Sequence, residues 1–170
     1  AGVVVHHHTA RAYWPGAFSG YRPPECSSLD GIMGTVYGAC ATCKFNQFAT
    51  AVRQDGSKGS GKACKEIRRI YLLMDGDAFP IVLALPPGSV KGWLSYRMAL
   101  NQALLGLRSV ITEFTLAQDS TADGIRYSVA VAKTVGAVDS DTQARVQAMS
   151  AQIAEGASRV AIALEDYEVP

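Results

Sequence analysis

Two apolar runs, residues 67–74 and 79–85, flank the turn sequence Asp75-Gly76-Asp77-Ala78, a pattern that predicts a β-hairpin with an Asp-Gly turn. Pro86-Pro87-Gly88 stops the second strand. Ser89 then stands as an N-cap, and Trp93, Tyr96, Leu100 and Leu104 recur at helical spacing until Gly106. A second hairpin is predicted from residues 109–116 and 125–131, joined through Thr121-Ala-Asp-Gly124. Beyond Ala137 a Ser/Asp cluster opens a helix over 142–157, whose apolar face of Val146, Met149 and Ile153 is thin. Upstream, residues 32–39 form a short strand candidate. The first thirty residues are rich in aromatics, Gly and Pro without any period, and are expected to wrap the domain as an irregular arm.

The order of strand, cysteine-bearing insertion, two strands, helix and two strands matches a mainly β (α+β) chain. It is the plan of an OB-like five-stranded Greek-key barrel. The expected division is residues 1–137 for the barrel, with an insertion at about 23–66, and residues 138–170 for the C-terminal helix and an acidic tail. With 170 residues, 48% of them hydrophobic, the chain can bury a core of its own. No apolar run approaches the roughly 20 residues needed to cross a bilayer, and the N-terminus lacks the pattern of a secretory signal. A soluble protein in a reducing cytoplasm is expected.

Cys26, Cys40, Cys43 and Cys64 carry the clearest chemistry. Two disulfides are the plain alternative, but Cys40-Ala-Thr-Cys43 spans a tight turn that suits two ligands on one tetrahedral ion better than a small strained ring. A thioredoxin-type use needs a strand-to-helix junction that the flanking residues do not provide. The four are therefore expected to form one structural Zn site joining three loops, closed to substrate and adding folding energy to a segment with little core. The three histidines, His6 to His8, form a single tract, expected to be a solvated tail although a metal role is open; no histidine elsewhere could build a catalytic triad. Gly56-Ser-Lys-Gly-Ser-Gly61-Lys62-Ala63 nearly spells a phosphate loop, yet Ala63 replaces the hydroxyl that would reach magnesium. With no nucleophile-base pair and no open metal site, an enzyme is not expected.

Net charge is only +1, so a nucleic-acid partner must be argued from distribution. Residues 44–69 hold seven cations against Asp55 and Glu66, with Phe45 and Phe48 interleaved and Tyr71 following, while acids gather toward the C-terminus. Binding an unpaired strand needs cations for the phosphates and flat rings for the bases. Lys58, Lys62, Lys65, Arg68 and Arg69 are the candidate phosphate contacts, and Phe48 and Tyr71 the candidate stacking rings. The competing reading is a solvated basic face over core aromatics; Trp93 is expected in the core, and Arg126 and Tyr127 on opposite faces of one strand.

Four segments, Pro24-Glu-Cys26-Ser-Ser-Leu-Asp30-Gly31, Cys40-Ala-Thr-Cys43-Lys-Phe-Asn46-Gln-Phe, Gly61-Lys62-Ala63-Cys64-Lys65-Glu-Ile-Arg68-Arg69 and Leu85-Pro86-Pro87-Gly-Ser89-Val-Lys91 with Tyr96, resemble a group of phage and prophage zinc-containing single-stranded-DNA-binding-like proteins. The resemblance covers residues 23–97. Ala49 departs from it, standing where a glycine is expected, and nothing after Val131 matches. It implies a zinc site on the four cysteines and a non-enzymatic single-stranded-DNA-binding protein in the host cytoplasm. Two other readings remain open: a zinc-stapled adaptor meeting replication or transcription proteins through its C-terminal helix and acidic tail, and a virion component using the aromatic arm.

Overall fold

The structure is a computed structural model that describes residues 1–16, 23–53, 55–120, 124 and 126–157. The expected acidic tail, the arm beyond Gly16 up to Tyr21, and most of the Thr121–Gly124 turn lie outside the described residues. Eight strands and two helices follow in the order β1 Gly2–Tyr13, β2 Cys26–Ser28, β3 Met33–Gly34, β4 Gly38–Ala39, β5 Lys65–Met74, β6 Ile81–Leu85, α1 Pro87–Gln102, β7 Val110–Ser120, β8 Arg126–Ala137 and α2 Ser140–Gly156. The fold is mainly β with two helices. No helix among the described residues is long and apolar enough to cross a membrane.

Strands run in the order β6-β5-β1-β7-β8, with β2 also paired to β1. The first expectation to be corrected is the irregular N-terminal arm, because β1 is a twelve-residue strand at the centre of this sheet. Val3, Val4 and Val5 are buried there, and β-branched side chains suit a strand covered on both faces. The His6–His8 tract that hid this strand is not a tail: His6 and His7 are half-buried, with their rings 5.7 Å from Tyr71 and 5.6 Å from Trp93 respectively. No closed barrel is found among the described residues. Among the described residues the path ends at β6 and β8, which do not pair with each other, so the sheet is open.

The chain divides into two compact units, Ala1–His7 with Arg69–Glu155, and His8–Arg68 with Gly156–Pro170. The first holds the apolar core of Val4, Ile70, Leu72, Leu85 and Trp93, with Leu83, Tyr96 and Phe114 packed against it. Helix α1 starts two residues before the predicted cap. Pro87 takes the first turn, where its missing N–H costs nothing, and Ser89 is buried with its Oγ accepting from the Ala130 N–H at 2.9 Å. The helix ends at Gln102, before the predicted Gly106, and the chain turns out of it through Ala103 and Leu104. Leu104 adopts φ +57, and the Leu105 and Leu104 N–H groups close on the Leu100 and Asn101 carbonyls at 2.9 and 3.0 Å. Both predicted hairpins are present, β7 and β8 pairing from Val110↔Ala137 to Ser120↔Arg126, which is longer than the apolar pattern alone outlines. On β8, Arg126 is exposed and Tyr127 is half-buried, its hydroxyl donating to Asp119 Oδ2 at 3.0 Å.

The second unit is built differently. Residues 32–39 form the two-residue strands β3 and β4 in place of one strand. Ile67 is its one large aliphatic side chain buried among the described residues; Ala10, Ala12, Cys26, Ser28, Cys40 and Asn46, also buried, are small or polar. Tyr13 stacks on Phe45 at 3.9 Å, with the Tyr37 ring edge-on to Phe45 at 4.9 Å, and this trio supplies most of its aromatic packing.

Candidate functional site: the cysteine cavity and its basic surface

Each cysteine is placed by a turn. Cys26 opens β2, Cys40 follows β4 with its N–H donating to the Ile32 carbonyl at 2.7 Å, Cys43 precedes a 3-10 turn at Lys44–Asn46, and Cys64 precedes β5 with its N–H donating to the Phe45 carbonyl at 2.8 Å. All four line one small cavity together with Arg11, Tyr13, Gly34, Tyr37 and Asn46. All four are free cysteines in this structure. As they stand, no group of three or more His, Cys, Asp or Glu side chains among the described residues is gathered closely enough to hold a metal ion.

Two glycines shape the cavity wall. A Cβ on Gly34 would lie 2.8 Å from Cys26 Sγ, closer than contact allows. Gly31 holds φ +73 beside Thr9, directly after Asp30, whose Oδ1 accepts from the Ile32 and Met33 N–H groups at 2.7 and 3.0 Å and from Ser28 Oγ at 2.9 Å. These bonds hold the Asp30 carboxyl below its ordinary range, the Ile32 N–H foremost. Asp30-Gly31 is thus a side-chain-closed turn that delivers the β3 strand to Cys26. Burial pushes the Cys64 thiol up to about 11, opposed by the Arg11 guanidinium and reinforced by the other three thiols.

Asn46 went unassigned in the sequence, and it ties the cavity together. Buried, it donates from Nδ2 to the Cys40 carbonyl at 2.7 Å, while its Oδ1 accepts from Arg11 Nη1 at 2.9 Å and Lys62 Nζ at 3.2 Å. Arg11 also donates to Glu66 Oε2 at 3.1 Å, and Glu66 Oε1 accepts from Arg68 at 3.1 Å. The signal available beforehand was an amide three residues after Cys43, a side chain able to donate and accept at once.

The chain matches no protein-family model, no curated protein and no solved structure.

The predicted strand-binding residues separate into two groups. Arg69, 3% exposed, and Tyr71, 6% exposed, are buried and leave the candidate surface, because β5 is covered on both faces from Arg69 to Leu73. Arg68 is held against Glu66, and Lys65 Nζ, half-buried, donates to the Lys62 carbonyl at 3.0 Å. Lys58 is exposed on the 56–61 loop. Phe48 is 76% exposed, and Lys62 Nζ lies 4.9 Å from its ring centroid. Lys44, 4.8 Å over Phe45, and the exposed Arg53 join them, two cations that the original candidate set omitted. No helix follows Gly61-Lys62, since β5 begins at Lys65, in keeping with the failed phosphate-loop pattern.

Proposed function

We propose that this chain is a non-enzymatic single-stranded-DNA-binding protein of phage type, working in the host cytoplasm, whose second unit is held by a structural zinc ion on Cys26, Cys40, Cys43 and Cys64. The observation that carries the reading is Phe48. An exposed phenyl ring under a lysine ammonium, flanked by Lys44, Arg53 and Lys58, offers a stacking face and phosphate charges in one loop region. The surface does not need a closed OB-like barrel to present these groups.

The residues fit a zinc ion by donor type. Three loops bring four thiols to one cavity, Gly34 keeps its wall clear, and no carboxylate lines it among the described residues. The half-buried Cys64 thiol, pushed up to about 11, keeps its proton at neutral pH, so a dication is the partner that would draw it into thiolate form. Zinc bound there supplies folding energy and no substrate chemistry.

Fluorescence anisotropy on single- and double-stranded oligonucleotides tests the reading. Four outward cations imply a slope of about −3 in log K against log salt, or roughly a 50-fold loss between 50 and 200 mM. Phe48→Ala is expected to weaken binding by about 1–3 kcal/mol without unfolding the chain, and Lys62→Ala to reduce the salt slope. Flat salt dependence, or equal affinity for duplex, counts against it.

A further inference from the structure

The first unit holds a cleft of about 650 Å³, a size that suits a small organic molecule. Arg97 of α1 and Arg108, just before β7, lie on its wall with His6, Asn101, Gln143 and Gln147, and Val5 and Leu107 supply an apolar side. No acidic residue lines it among the described residues. Arg108 is fixed in place, donating from Nε to the Val5 carbonyl at 3.2 Å and from Nη2 to Ser150 Oγ at 2.7 Å. Both partners are neutral, so neither cancels its charge. His6 registers that field: burial first, and the Arg108 charge second, hold its imidazole below the ordinary range.

From this geometry we infer that the cleft is a binding site for a phosphate monoester of nucleotide size. Two guanidiniums in a recess without carboxylates favour an oxyanion, and a phosphate dianion matches both charges. The three carboxamides offer donors and acceptors to sugar hydroxyls or a base edge, and Val5 and Leu107 offer contact to a ring face. None of these residues belongs to the cysteine cavity or to the Phe48 surface, so the inference stands whether or not the chain binds DNA.

Isothermal titration of the full chain with dTMP, thymidine and inorganic phosphate at low salt tests it. Saturable dTMP binding is expected, with thymidine weaker by about 10-fold or more, and with Arg97→Ala losing about 10-fold or more at unchanged thermal stability. The His6 imidazole, followed by NMR, should titrate at higher pH once dTMP is bound, because an anion stabilises its protonated form. Phe48→Ala separates the two surfaces, since it should leave dTMP binding intact. Absence of dTMP binding, thymidine binding as tightly as dTMP, indifference to Arg97→Ala, or loss of dTMP binding in Phe48→Ala would each overturn the assignment.

Discussion

The two units solve the same problem with different materials. In the first, Trp93, Ile70, Leu72, Leu85 and Val4 bury large apolar side chains, each contributing about 1.5–3 kcal/mol by leaving water. In the second, apart from Ile67, the positions of comparable burial are mostly alanines, a serine, an asparagine and two thiols, which remove little apolar surface. Its order rests on directional contacts: Asn46 to the Cys40 carbonyl, Arg11 to Asn46 and Glu66, and Asp30 to two backbone amides. A segment with a small core gains most from a cross-link in the folded state, and a metal on four thiols is one.

The contrast is sharpest on metal removal. Chelation, or Cys40→Ser with Cys43→Ser, is expected to abolish amide-exchange protection across the cysteine loops while protection in β5 after Arg69 and in α1 persists. Uniform loss, or none, would break the comparison. Trp93→Ala should do the reverse, costing about 3–5 kcal/mol in denaturant unfolding through the void left in the apolar core. Asn46→Ala is expected to cost about 1–3 kcal/mol, since it leaves the Cys40 carbonyl without its donor and Arg11 Nη1 without its acceptor.

Acid should act on the second unit through Asp30. Its folded pKa is lowered, so its contribution is present above the unfolded value near pH 4 and is lost as pH falls through the folded value. The stability difference between the wild type and Asp30→Asn, measured from pH 6 to pH 2, should therefore shrink toward the acid end. The smallest effects are backbone ones. Leu104, 94% exposed at φ +57, and Ala49, at φ +63, hold conformations that glycine takes without strain. Leu104→Gly should raise stability by about 0.5–1 kcal/mol, and Ala49→Gly by the same or less, read as the denaturant midpoint.

What could be read along the chain was whatever repeats with a short period. The hairpin around Gly76, the helix carrying Trp93 and the β7–β8 pair announce themselves by alternating or helically spaced apolar residues. The turns holding the four thiols were visible in the same way, through Gly, Asp and the Cys40/Cys43 spacing.

Strand β1 was not visible, because three consecutive histidines erase the alternation that marks a strand; its central place follows from lying between β5 and β7, partners distant in sequence. The fates of Arg69 and Tyr71 were hidden for a related reason. A cation and a ring on a strand look alike whether or not its faces are covered, and only the place of β5 inside the sheet, between β6 and β1, buries those two, while Phe48 and Lys58 stand exposed on loops. Asn46 and the Arg97–Arg108 cleft belong to the same class. Local residue types set which turns, strands and helices form, since those energies act over a few residues. Which side chains meet across dozens of residues was decided by packing, whose energy exists only once the whole sheet has assembled.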